Sequence, residues 1–210
     1  MKVLILGASG QIAQWVIHML GKDPDVEMTL YLRDPTKLKV AVPSNARVLR
    51  GDVREMSKLD GAMMDQDVVY ANLAGDVDLQ AADILAAMAT AQVSKLIFVT
   101  SLGIYDEVPG KFGEWNRREI GSFLPPYRRA ADLIERSSVE YAILRPAWLT
   151  DRDEVDFETT ERIEAFRGTE VSRKSVAALV VELLKSKQTF GRRNIGVSKP
   201  GTDGDRPAFV

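Results

Sequence analysis

The opening segment, MKVLILGASGQIA, constrains the possible folds more than any other part of the chain. The apolar run 3–6 leads directly into Gly7-Ala8-Ser9-Gly10-Gln11-Ile12-Ala13, and a helical pattern follows. A glycine turn between a buried strand and a helix start puts backbone N–H groups and the positive end of the helix where a pyrophosphate can sit. Gly7 permits the tight turn and Gly10 the close approach of phosphate, while the small Ala13 lets helix and strand pack together. A bare strand–turn–helix corner would look the same in isolation, so the rest of the pattern decides between them.

That pattern is a regular alternation. Apolar strand-like runs occur at 3–6, 28–32, 46–49, 68–71, 96–99 and 141–144, with a late one at 194–197. Helical stretches fall between them, at about 11–21, 35–40, 55–63, 78–92, 124–137 and 173–187. Short apolar strands alternating with helices predict an α/β fold, a parallel sheet covered on both faces. Right-handed crossovers give the doubly wound Rossmann order 3-2-1-4-5-6, with the late strand added at the edge. No repeat or linker divides the 210 residues, which suit one domain with a substrate-side region formed by 103–123 and 146–172.

Helix 11–21 carries an apolar stripe of Ile12, Trp15, Val16, Met19 and Leu20, which places Gln11, Gln14 and His18 on the solvated side. His18 is the sole histidine and cysteine is absent, so histidine-based catalysis, thiolate chemistry and disulfides drop out and no metal site is expected. Asp151, Asp153, Glu154 and Asp156 read as a solvated acidic loop. Twenty-eight basic residues against 30 acidic ones leave a net charge of −2, so no global field favours nucleic acid or an anionic membrane. No apolar run reaches the roughly 18 residues of a membrane span, and Met1-Lys2 runs straight into a strand. The expectation is a cytoplasmic monomer or homodimer acting on a small molecule.

Cofactor choice is read where the second strand ends, at Leu32-Arg33-Asp34-Pro35-Thr36-Lys37. An acidic residue here accepts ribose hydroxyls in NAD sites, whereas arginine accommodates the 2′-phosphate of NADP. Arg33 offers a planar fork for phosphate and Lys37 adds charge one turn later, which favours NADP(H) over NAD(H). In the other readings Asp34 pairs with Arg33 or takes the ribose itself.

The segments GASGQIA, YLRDPTK, RGDV, KLIFVTS and VEYAILRPAWL resemble the atypical short-chain dehydrogenase/reductases, specifically their NmrA-like, NAD(P)H-binding branch, over nearly the whole chain. The resemblance implies cofactor contacts from Gly7, Ser9, Gly10, Gln11 and Ile12, from Arg33 and Lys37, and from Asp52 and Val53 at the adenine edge. Asn72-Leu73-Ala74-Gly75 follows the fourth strand, and there the small residues would let backbone, at Leu73, Ala74 and Gly75, approach the nicotinamide-side ribose. Asp52 could alternatively cap the helix starting near Glu55.

Relatives that reduce carbonyls carry a serine after the fifth strand and a Tyr-x-x-x-Lys whose tyrosine protonates the nascent alkoxide. Thr100-Ser101 stands in the serine's place, but this chain contains no Tyr-x-x-x-Lys. Tyr127 is followed four residues later by Ala131; counted back from Arg145-Pro146, Tyr127 falls at the lysine position and Phe123 at the tyrosine position. Ser101 and Tyr127 remain the catalytic candidates, with Tyr127 also a cofactor contact. The missing dyad argues against an ordinary alcohol dehydrogenase. It leaves a reductase of quinones, flavins or other acceptors that need little protonation, or a non-catalytic NAD(P) sensor working through a protein partner, as in some NmrA-like members.

The stretch 103–121, with Tyr105, Phe112 and Trp115, reads either as an aromatic flap beside the nicotinamide or as a surface loop. Tyr105, Pro146, Ala147 and Trp148 are expected to wall a substrate pocket, although Trp148 could equally be core. Arg117, Arg118, Arg128 and Arg129 fit a solvated helix face better than an anion site.

Overall fold

The predicted apolar runs become strands of one sheet. The structure, a computed structural model, describes residues 1–186 and 189–210. The strands are β1 (Lys2–Leu6), β2 (Glu27–Leu32), β3 (Ala46–Arg50), β4 (Val68–Ala71), β5 (Lys95–Val99), β6 (Glu140–Pro146), β7 (Trp148–Thr150), β8 (Glu158–Thr160), β9 (Glu170–Ser172) and β10 (Arg193–Ser198). Eight of them form a sheet in the order β3-β2-β1-β4-β5-β6-β10-β8, parallel except for β8, and β7 pairs with β9 in a separate ribbon. The Rossmann order is therefore present. One correction concerns its edge: β10 is flanked by the antiparallel β8, so the late strand is interior to the sheet. Three-residue strands such as β7, β8 and β9 are too short to leave a period in the sequence.

The helices are α1 (Gln11–Leu20), α2 (Met56–Met63), α3 (Val77–Ala91), α4 (Gly110–Ile120), α5 (Leu124–Arg136) and α6 (Arg173–Lys185). Side chains alternate along each strand, so Val3 and Ile5 meet α1 and α6 while Leu4 and Leu6 meet α2, α3 and α5. Residues 35–40 do not form a full helix. Only Pro35–Lys37 closes a 3₁₀ turn, capped by Asp34, and Leu38 is already extended. Residue 187, the last of the expected final helix, lies outside the described residues. Among the described residues no helix is long and apolar enough to cross a membrane.

Two expectations about helices need correction. In α1, Gln14 is buried: its Nε2 donates to the Ser9 carbonyl at 2.9 Å and its Oε1 accepts the Lys39 amide at 2.8 Å. This amide tethers the glycine loop to the segment after β2, which a hydropathy stripe cannot reveal. His18 is exposed as expected. The second correction is α4, which occupies most of the stretch read either as a flap or as a surface loop. Gly110 and Gly113 hide its helical character, but Phe112 and Trp115 are spaced for one face and are both buried. A Cβ at Gly113 would collide with the Val108 carbonyl, so the glycine lets the helix pack against its own entry loop.

Candidate functional site

In-register parallel pairing brings Leu6 beside Tyr31 and Ala71, and Leu32 beside Arg50. The loops leaving β1, β2, β3 and β4 therefore emerge together at the carboxyl edge of the sheet, where open α/β sheets bind ligands. They enclose a cleft of about 230 Å³ lined by Gly7, Ser9, Gly10, Arg33, Lys37, Asp52, Val53, Leu73 and Ala74. Gly7 adopts φ +76°, a conformation that side chains disfavour, and its amide donates to the Tyr31 carbonyl at 3.0 Å. A Cβ at Gly10 would collide with Asn72 Nδ2. No side chain caps α1 and its first turn holds no acidic residue. Its positive end is thus left to an anion, as a pyrophosphate cradle requires.

On the side of the cleft formed by the loops after β2 and β3, Arg33 is 78% exposed in its side chain and lies 3.8 Å from Asp52 Oδ2. Asp34 does not pair with it. Its Oδ1 accepts the Thr36 amide at 3.1 Å and the Thr36 hydroxyl at 2.7 Å, bonds that hold its carboxyl below the ordinary value. Asp52 is not the cap of α2, because Glu55 holds that position and returns to accept the Asp52 amide at 3.1 Å. Tyr31 Oη donates to the Asp52 carbonyl at 3.0 Å, and a Cβ at Gly51 would collide with this hydroxyl. Gln11, Ile12, Gly75 and Tyr127 do not line this cleft. Gln11 and Gly75 are exposed, whereas Ile12 and Tyr127 face the neighbouring space.

That space is a cavity of about 480 Å³, which shares Asn72 and Leu73 with the cleft. Ser101, Tyr127, Pro146, Ala147 and Trp148 line it, so these five expected residues come together. Trp148 both walls the cavity and packs inward. Its Nε1 donates to Asn116 Oδ1 at 2.9 Å and its ring sits 4.6 Å from that of Trp115. Burial raises the Tyr127 phenol above its ordinary value, the opposite of what a neighbouring lysine does in carbonyl reductases. Ser101 Oγ donates to the Leu102 carbonyl at 3.2 Å. Thr100 is structural, its hydroxyl held by the Leu144 carbonyl at 3.0 Å.

Tyr105 is the exception among the expected pocket residues. It points into a polar network behind the cavity, donating to Glu135 Oε1 at 2.9 Å and accepting from Asn194 Nδ2 at 2.8 Å. The guanidiniums of Arg128 and Arg162 lie 4.6 and 4.4 Å from its ring centre. Arg145, fully buried, pairs with Glu107, whose two oxygens also accept the amides of Gly103 and Tyr105 at 2.9 Å each. The loop read as a flap is thereby fastened to β6. The remaining basic pairs are matched to carboxylates: Arg117 to Asp106, Arg118 to Glu119, Arg128 to Asp132 and Arg129 to Asp78. The acidic loop 151–156 is solvated as expected, with Asp151, Asp153 and Asp156 exposed; Asp153 also pairs with Lys174 and the half-buried Glu154 with Lys199.

Sequence reasoning left Tyr31, Gln80, Arg173 and Phe209 off the site. All line one of the two spaces. Asn72 was legible as the residue following β4. Arg173 and Phe209 reach the cavity only through the tertiary fold.

A family profile described as NAD(P)H-binding matches residues 7–187. The chain belongs to this family. Its fold matches a Rossmann-fold NAD(P)-binding family protein from Shigella flexneri at 48% identity and a TM-score of 0.86, covering 100% of this chain and 98% of the other. It also matches a short-chain dehydrogenase/reductase from Veillonella parvula solved in complex with NADP, at 28% identity and a TM-score of 0.90 with 99% of each chain covered. Over 223 aligned positions it is 27% identical to an uncharacterized sugar epimerase of Bacillus subtilis, covering 99% of this chain and 96% of that protein. The uncapped helix, the two glycines and the adjoining cavity are thus features of an NAD(P)-binding oxidoreductase scaffold.

Proposed function

We propose that this protein is an NADPH-dependent oxidoreductase that reduces a quinone, a flavin or another small acceptor. The observation that carries the reading is the open cavity of about 480 Å³ beside the dinucleotide cleft, with Asn72 and Leu73 common to both. A protein that only sensed the dinucleotide would need no second cavity of this size, with a largely apolar wall, next to it. When bound, the reduced dinucleotide supplies a hydride.

The residues of the chain supply placement. Gly7 and Gly10 admit the pyrophosphate to the end of α1, and Arg33 with Lys37 meets the 2′-phosphate that separates NADP from NAD. Trp148, held by Asn116 and Trp115, gives the acceptor a fixed flat wall. Tyr127 keeps its proton at neutral pH and acts as a hydrogen-bond donor, not as a strong acid. Without a lysine four residues on, it offers little help to a simple ketone, whose alkoxide product must be protonated. Quinones and flavins spread the added charge over a conjugated system and depend chiefly on positioning.

NADPH oxidation against a panel of quinones, flavins, aldehydes and ketones tests this. Turnover should be confined to the conjugated acceptors. Rapid ketone reduction that vanishes in Tyr127→Phe would contradict it, and tight NADPH binding with no turnover of any acceptor would favour the sensor.

A further inference from the structure

Among the described residues that line the acceptor cavity, Arg173 alone carries a charge. The rest of the wall is apolar or neutral, including Ile12, Leu102, Ile120, Trp148 and Phe209. Arg173 is the first residue of α6, and its side chain is 18% exposed. Nη1 donates to Asp151 Oδ1 at 2.9 Å and to the Leu149 carbonyl at 3.4 Å. Both of its hydrogen bonds among the described residues leave from Nη1, so the Nε–Nη2 edge keeps its donors. That edge is one of the two that take a carboxylate in a bidentate fork. Asp151 is a weak competitor because 78% of its side chain is in solvent, where an ion pair contributes little.

A guanidinium set into an otherwise uncharged cavity loses hydration without gaining a strong partner. Such a group is best satisfied by an anion that arrives with the ligand. We infer that Arg173 selects the acceptor: the cavity takes a flat, largely apolar molecule bearing a carboxylate or phosphate, with the anionic group on Arg173 and the ring system along Trp148. This inference rests on reading the cavity as the acceptor site.

Anthraquinone carboxylate and anthraquinone carboxamide, matched in shape and differing in charge, are suitable probes. Their binding to NADP⁺-saturated protein is read by quenching of tryptophan fluorescence. The carboxylate should bind about tenfold or more tightly than the carboxamide, as expected for a charge-assisted fork. Arg173→Met should erase the difference without changing NADPH affinity, and Arg173→Lys should restore part of it. Asp151→Asn should strengthen carboxylate binding by removing the competitor. Equal binding of the two probes, a preference that survives in Arg173→Met, or no binding of either would overturn the inference. A carboxylate preference in a protein that never oxidises NADPH would leave the anion site standing and remove the proposed reaction, so the two failures are distinct.

Discussion

The dinucleotide cleft is built by loops that leave four neighbouring strands, whereas the cavity beside it is assembled from elements far apart in the chain. The cleft depends on loops at the ends of four paired strands, on an uncapped helix and on glycines at positions where a Cβ would collide. Its local rules act within a few residues of sequence. The cavity instead gathers Tyr127 from α5, Trp148 from β7, Arg173 from α6 and Phe209 from the tail. Its shape is fixed by contacts far apart in sequence, such as Trp148 on Asn116 and Arg145 on Glu107. One scaffold can therefore keep its cofactor while its acceptor changes.

The largest effect should come from disturbing the glycine turn of the cleft. Gly10→Val should abolish detectable NADPH binding in calorimetry, because the new side chain must displace Asn72 and fill the pyrophosphate path. Melting should show the variant still folded. Unchanged affinity would break the distinction between the two regions at its strongest point.

Next comes the fastening of the cavity loop. Glu107→Ala leaves the fully buried Arg145 without its counter-charge and frees the amides of Gly103 and Tyr105. The expected loss is about 3–5 kcal/mol of stability in denaturant unfolding. In the protein that remains folded, NADPH affinity should hold while acceptor KM rises. A parallel loss of cofactor affinity would show that the two regions are not separable.

Arg33→Ala is the smaller, sharper test of cofactor choice. Loss of a charge-assisted contact should weaken NADPH binding by about 1.5–3 kcal/mol and leave NADH nearly unaffected. Equal affinities for the two cofactors in the wild type would assign Arg33 to the solvated surface.

The smallest effect belongs to Tyr127. Tyr127→Phe should slow turnover only a few-fold, and so should Ser101→Ala. A free tyrosine ionises near pH 10 and burial pushes Tyr127 higher, so the rate should show no break from this group between neutral pH and about pH 9. A steep alkaline decline that disappears in Tyr127→Phe would mark it as a proton donor after all.

The same contrast governs what the sequence discloses. Gly7, Gly10 and Arg33 could be placed beside the cleft because strand ends and glycine turns are local signals, and Asp52 because the family resemblance implies it. Gln14 escaped because its burial depends on two hydrogen bonds made outside its own helix. Helix α4 was obscured by Gly110, which starts it at φ +62°, and by Gly113, which packing against Val108 demands although it weakens the helix. Tyr105 was misplaced because an aromatic near a glycine loop looks alike whether it faces ligand or a buried guanidinium network. Arg173 carries no motif at all, and only the pairing of β7 with β9 brings the start of α6 to the cavity.

The most direct measurement is a single-turnover experiment in which protein loaded with NADPH is mixed with a quinone and the near-ultraviolet absorbance of the cofactor is followed. The account predicts a saturable decay that is slower when the transferring position of NADPH carries deuterium. A cofactor signal that persists unchanged, or a decay rate indifferent to deuterium, would contradict it.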